Sequence, residues 1–212
     1  MMPNLKTIYD DTFFQEWGIE HQKYIESAKI ITDILMNHLN PRRLIDLGCG
    51  CGVYSDSFFQ KGVQIVSVDG VQPPQRFSFP VPIQVQDLTV PFKNLWGKFD
   101  VTLCLEVAEH IPEEFVDTFL SNLLQFGDLL VLSAAPPKQG GHHHVNEQPK
   151  RYWVQKCAQL GWIYNRKKTG KFIEDFKSRK APYMWMGEHI SFYQRALPNE
   201  NKKKELPFSV RI

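Results

Sequence analysis

No charge of one sign dominates this chain. Its 25 lysines and arginines stand against 23 acidic residues, a net charge of +2 over 212 positions, so the field of the whole molecule singles out neither polyanions nor polycations as partners. Long apolar runs are missing too. No stretch reaches the roughly 20 consecutive apolar residues that a bilayer-crossing helix needs, and Met1-Met2-Pro3-Asn4-Leu5-Lys6 lacks the apolar segment of a secretory leader. Cysteine is sparse: Cys49 and Cys51 sit inside a glycine-rich turn, while Cys104 and Cys157 stand alone in apolar patterns. That spacing excludes a disulfide or zinc framework and points to a reduced, cytoplasmic setting. Internal repeats and low-complexity tracts are absent. The length suits one domain with a substantial core, with residues 1–40 as a helical cap, 41–195 as the core and 196–212 as a mobile tail.

What is present centres on Leu44-Ile45-Asp46-Leu47-Gly48-Cys49-Gly50-Cys51-Gly52 and on Asp69. Leu44, Ile45 and Leu47 read as a buried strand that three alternate glycines break into a turn. Val53 to Gln60 reads as a helix stopped by Gly62, and Val63 to Val68 as a second strand ending in Asp69. Glycine in such a turn lets the backbone approach a ligand, and an acid at the second strand's tip can bind both hydroxyls of a ribose. The spacing is G-x-G-x-G, not the G-x-G-x-x-G that seats a pyrophosphate on a helix N-terminus. The alternative for the turn is a tight strand-to-helix connection with no ligand.

This arrangement resembles motif I of the class I S-adenosylmethionine (SAM) methyltransferases. The resemblance implies SAM as cofactor, with Asp46, Gly48, Cys49, Gly50 and Gly52 forming the turn beneath its methionine part, and Asp69 and Gly70 at its ribose. It extends to Asp87 and Leu88 beside the adenine and to Leu105 and Glu106 at the end of a fourth strand. For Asp87 a plain turn or helix cap is the competing role.

Along the rest of the chain, Tyr9 to Gly18 reads as a short helix or an arm. Tyr24, Ile25, Ala28, Ile31, Leu35 and Leu39 recur at helical spacing until Asn40-Pro41. In methyltransferase-like chains such a helix covers one side of the cofactor cleft, and packing onto the sheet is a compatible role. Further strands are expected at Ile83–Gln86, Lys98–Leu105, Leu129–Ser133, Trp162–Tyr164 and His189–Gln194. Helices are expected after Pro112 and from Lys150 to Leu160, while Asn165 to Met186 reads only as a basic stretch. The alternation predicts an α/β fold, doubly wound and mostly parallel, with helices on both faces, and the resemblance to the class I methyltransferases implies a Rossmann-like sheet of seven strands, the last antiparallel. The groups assigned to the ligand should then share the carboxyl edge of the sheet.

The second informative stretch is Glu106-Val107-Ala108-Glu109-His110. E-x-x-E-H at this place resembles the pattern of ubiquinone-biosynthesis O-methyltransferases and of small-RNA 2′-O-methyltransferases, and in the latter carboxylates and histidines hold a divalent ion. The resemblance implies Glu106, Glu109, His110 and one histidine of the next loop, His144, as a metal set, and a mixed set of this kind suits Mn²⁺, Fe²⁺ or Zn²⁺ better than Mg²⁺. Without metal, His110 or a loop histidine such as His143 would be the general base beside Glu106 and Glu109. A third reading makes the two glutamates helix caps and His142, His143 and His144 a polar loop. Asn146, Glu147 and Gln148 suit hydroxyl recognition, and Tyr152 or Trp153 could stack on a ring, although core packing explains the aromatics as well. The favoured expectation is O-methylation of a hydroxylated small molecule or saccharide by a monomer or homodimer. RNA 2′-O-methylation, drawing on the basic stretch from Arg166 to Lys180, and a catalytically inactive SAM-binding subunit are the alternatives.

Overall fold

The computed structural model describes residues 5–196. Two short helices open it, α1 (Leu5–Ile8) and α2 (Asp11–Glu16), and the second is capped by the Asp10 carboxylate, which accepts from the N–H groups of Thr12 and Phe13. The long α3 (Gln22–Leu39) ends where Asn40 turns left-handed at φ 44° and returns its N–H to Met36.

The first βαβ unit then forms as expected: β1 (Arg43–Leu47), α4 (Val53–Phe59) and β2 (Gln64–Asp69). It is followed by β3 (Ile83–Val85), β4 (Val101–Cys104), α5 (Val116–Leu123), β5 (Leu129–Leu132), α6 (Lys150–Gln159) and β6 (Trp162–Tyr164). After these come α7 (Arg166–Arg179), α8 (Trp185–Glu188) and β7 (Ser191–Arg195). The seven strands lie in the order β3-β2-β1-β4-β5-β7-β6. All neighbours run parallel except β7, which is antiparallel to both β5 and β6, with Leu130 opposite Tyr193 and Ile163 opposite Gln194. The α/β class, seven strands and antiparallel last strand agree with the sequence expectation.

Successive residues of β1 feed two cores because side chains alternate across a strand. Leu44 joins α3, α4 and α7 on one face through Ile31, Leu35, Phe58 and Phe172, while Ile45 joins α5 and α6 on the other through Phe119, Leu123 and Trp153. Such double coverage buries Leu44 to Leu47 of β1 and all of β4 on both faces.

The basic stretch after Asn165 corrects the sequence reading: it is the helix α7. Asn165 caps it by accepting from the Lys168 N–H, and Thr169, Phe172 and Phe176 bury one stripe against the sheet. Its lysines and arginines occupy the remaining faces, and their number masked the apolar period. The expected mobile tail lies outside the described residues. Among the described residues, no helix is long and apolar enough to cross a membrane.

Candidate active site

The strand order reverses between β1 and β4, and in open α/β sheets a ligand crevice opens outside the carboxyl ends of the strands at such a point. A cavity of about 510 Å³ lies there. Its floor is the glycine turn. Gly48 adopts φ +81°, and a Cβ on it would meet Val107 Cγ2 at 2.3 Å, so both conformation and space demand glycine. Gly50, at φ +53°, has nothing within 4 Å of its Cβ position and borders the cavity. The turn is tied to β2 twice: Gly48 and Cys49 N–H donate to Val68 O, and Gly50 N–H donates to Asp69 Oδ2 at 2.8 Å. Asp69 Oδ1 accepts from Val71 N–H at 3.0 Å. Burial raises the Asp69 carboxyl above its ordinary range, while these backbone donors pull it back.

Of the sequence-predicted cofactor residues, Gly48, Cys49, Gly50, Asp69, Gly70, Asp87, Leu88, Leu105 and Glu106 line this cavity. Asp87 stands at its rim and accepts from both the N–H and the hydroxyl of Thr89. Asp46 and Gly52 do not line it. Asp46, 2% exposed, lies beneath the turn and accepts from Ser55 Oγ at 2.7 Å. Burial, with Asp69 nearby, raises its carboxyl to about 7 despite that bond. Gly52 is the left-handed first residue before α4, packed so closely that a Cβ would meet Val81.

The E-x-x-E-H stretch wraps the end of β4 in a short 3-10 turn, Ala108–His110. Glu106 takes an unusual left-handed φ of 56°, held because its N–H donates to Ser133 Oγ while that hydroxyl donates to Glu106 Oε1 at 2.6 Å. Burial raises the Glu106 carboxyl to about 7 against hydrogen bonds from Ser133 and Gln139. Glu109 is fully buried, and neither carboxylate oxygen has a hydrogen-bond partner of regular geometry. Its pKa is driven well above the ordinary range by burial and then by the Glu106 charge.

His110 and His144 meet edge to face with ring centroids 5.0 Å apart. His110 Nδ1 donates to the His143 carbonyl at 3.2 Å, and His144 Nδ1 donates to Glu147 Oε1 at 2.9 Å. Both tautomers therefore leave Nε2 as a lone pair. Burial, and then His144, lowers His110 to about 4, so it is neutral near pH 7. One ligand atom each from Glu109, His110 and His144 lies within 4.8 Å of the others. Glu106 is not part of this cluster, its Oε1 being held by Ser133.

His143 does not line the cavity; it turns left-handed at φ 53° and offers its carbonyl to His110. Asn146 and Gln148 are likewise absent from the lining. Asn146 Nδ2 donates to Ile111 O, Gln148 donates to Asn146, and the Asn146 and Val145 N–H groups both donate to Glu109 O. Glu147 accepts from His144 and from the Lys138 and Gly140 N–H groups, which closes the loop on itself. Trp153 is a core residue, 3% exposed, and Tyr152 packs beside it; neither reaches the cavity.

The sequence reading missed the roof. Leu5, Tyr9, Phe13, Phe14 and Trp17 from the first two helices line the cavity, joined by Tyr24 and Trp185, while α3 otherwise packs onto the sheet. His142 fastens this roof by donating from Nε2 to Ile8 O at 2.8 Å, with its ring 5.2 Å from Phe13. An aromatic segment without a period gave only one usable signal, its density of large rings beside a predicted cleft.

A switch-point cavity with a glycine turn on β1 and an acid at the tip of β2 defines a nucleoside-cofactor enzyme of the doubly wound class. A sequence model of the family described as "Methyltransferase domain" matches residues 19–200. The chain belongs to this family. Among its relatives is the ubiquinone biosynthesis O-methyltransferase of Pseudomonas aeruginosa, 28% identical over 150 residues that cover 66% of this chain and 59% of that protein. The chain thus spans about three fifths of that relative's length. Its fold is similar to the 1,6-didemethyltoxoflavin-N1-methyltransferase of Burkholderia thailandensis, with a TM-score of 0.61, 15% identity and 93% of each chain covered. It is also similar to the sugar N-methyltransferase KedS8 from Streptoalloteichus, with a TM-score of 0.62, 12% identity, and 88% of this chain and 92% of that one covered.

Proposed function

We propose that this domain methylates a hydroxyl group of an uncharged small molecule, with Glu109, His110 and His144 at the acceptor and the glycine turn, Asp69 and Asp87 at the cofactor. The observation that carries this reading is the cluster itself: a buried carboxyl with no hydrogen-bond partner of regular geometry stands within 4.8 Å of two imidazole nitrogens on the wall of the cavity that the glycine turn floors. A buried carboxyl that keeps its proton only for want of a cation, converging with two imidazole nitrogens, is the chemistry of a cation site, and each imidazole is oriented from behind by an oxygen acceptor, as metal-bound histidines usually are. Glu109, His110 and His144 would hold a divalent ion, which lowers the pKa of a nearby acceptor hydroxyl.

SAM supplies the methyl group already activated, so the protein's own task is alignment and proton removal. Asp69, braced by Gly50 and Val71, presents a carboxylate where a ribose would lie, and the open space above Gly50 admits the cofactor backbone-close. The roof of Tyr9, Phe13 and Trp17 excludes water from the acceptor side. His110 as sole general base fits less well, because a group lowered to about 4 is a weak base at neutral pH. An RNA acceptor fits poorly too: among the described residues no lysine or arginine lines the cavity, so a phosphate would meet Asp69, Asp87, Glu106 and Glu109 without a counter-charge.

The test is methyl transfer from radiolabelled SAM to a panel of neutral catechols, polyols and amines, run with EDTA and with Mn²⁺ restored. Label on hydroxyl acceptors that disappears with EDTA and returns with Mn²⁺ is the expected result. Transfer confined to amines, or indifferent to chelation with hydroxyl acceptors, would remove the metal-assisted O-methylation reading.

A further inference from the structure

Among the side chains lining the cavity, two buried polar groups lack a protein partner: the Glu109 carboxylate and the Tyr54 hydroxyl. The first belongs to the cluster above. The second has no part in it. Tyr54 lies in the first turn of α4, 6% exposed, directly after the glycine turn. Tyr24 reaches the same cavity from α3, and burial among acids keeps its phenol protonated. The Tyr54 hydroxyl is an electrostatic neighbour of Tyr24, Glu106 and Asp46, and the Tyr24 hydroxyl of Cys51, Asp46, Cys49 and Glu106. The two phenols thus line one cavity, from α3 and from α4, together with the glycine turn.

A buried hydroxyl without a partner is costly, and ligands commonly supply what the protein omits. The ligand group has to be an acceptor, because two phenols held protonated by burial among acids act as donors. SAM carries one strong acceptor outside its nucleoside, the carboxylate of its amino-acid end. That carboxylate needs donors, and the usual ones are missing, since no described lysine or arginine lines the cavity. The imidazole and amide donors are committed, His142 to Ile8, His144 to Glu147, His110 to His143 and Gln139 to Glu106, and the other ring donors, Tyr9, Trp17 and Trp185, belong to the roof. The ammonium at the same end has its own complement in the Glu106 carboxylate.

Resting on the SAM reading, we infer that Tyr24 and Tyr54 form a neutral phenol clamp that binds the cofactor's amino-acid carboxylate by two O–H donors in place of a cation. The clamp gives the site a selectivity a cation would not: it grips the carboxylate by direction and adds no positive charge beside the sulfonium.

Calorimetric titration of the full chain with two probes tests this. S-adenosylhomocysteine carries the amino-acid end, and 5′-methylthioadenosine has the same nucleoside and sulfur without it. Tyr54→Phe should weaken the first about tenfold, about 1.4 kcal/mol, and leave the second unchanged; Tyr24→Phe should act in the same sense. Because the Tyr54 hydroxyl makes no protein bond, the ligand-free Phe variant should melt no lower than wild type. Equal loss of both probes, or no loss of either, would overturn the clamp. A Phe variant that melts several degrees lower would overturn it as well, by revealing a structural partner. If wild type binds neither probe nor SAM, the cofactor reading itself fails, a result distinguishable from failure of the clamp.

Discussion

Glu109→Gln separates a cation site from a structural carboxylate, because it moves two stabilities in opposite directions. The glutamine keeps the size of the side chain and removes the capacity for charge. Glu109 is fully buried, has no regular hydrogen bond, and sits beside the raised Glu106. Holding a charge there without a partner costs several kcal/mol, so the ion-free variant should be at least as stable as wild type. With a divalent ion the order reverses. A ligand present at 100 times its Kd stabilises the folded state by about 2.7 kcal/mol, and about 2–4 °C per kcal/mol applies to a domain of this size. Wild type should therefore gain roughly 5–10 °C in Tm with saturating Mn²⁺ or Zn²⁺, and Glu109→Gln should gain almost nothing. The assay is differential scanning fluorimetry after EDTA treatment, with each ion restored in turn. An ion-induced rise of equal size in both proteins would refute the cluster. So would an ion-free variant that melts well below wild type, since that would mean Glu109 has a protein partner after all.

Two further outcomes follow from the same contacts. Glu147→Ala removes the acceptor that orients His144 and anchors the Lys138 and Gly140 N–H groups; it should lower ion affinity about 10–100-fold while calorimetry finds SAM affinity unchanged, and a matching drop in SAM affinity would show that the loop also shapes the cofactor site. Asp46→Asn tests the acid beneath the glycine turn. Its folded value, near 7, lies above the ordinary 3.8, so its contribution to stability is complete below pH 3.8 and is lost as pH rises towards 7. Urea unfolding at pH 4, 6 and 8 should show the variant gaining on wild type with rising pH, by at most about 4 kcal/mol at 1.36 kcal/mol per unit; a gap that stays constant with pH would mean Asp46 is as readily ionised when folded as when unfolded.

The antiparallel last strand came from the resemblance to a known family, while local pattern was enough to read the first βαβ unit and the strand alternation from sequence. Those elements follow from short-range physics: apolar runs buried on two faces, glycine where φ is positive, Asn40-Pro41 where α3 must stop. The same short-range reading found Glu109, His110 and His144, because E-x-x-E-H lies on one turn and the histidine run is conspicuous. It could not sort them. Asp46, Gly52 and His143 stood in the right stretches yet line no cavity, since one residue of displacement along a turn reverses which way a side chain faces. Helix α7 stayed hidden because its buried stripe of Thr169, Phe172 and Phe176 is narrow and its other faces carry the charge.

Which groups share the site was decided by the tertiary structure. Leu5 to Trp17 became a roof only when His142 reached Ile8, 134 positions away, and His144 was chosen over its neighbours because Glu147 turned its ring. Tyr54, in the first turn of α4, was left with an unpartnered hydroxyl at the cavity. Short-range pattern was enough to establish a methyltransferase-domain fold with acids and histidines on one sheet edge. Only the fold decided which lone pairs converge, since that depends on distances between segments that no local pattern encodes.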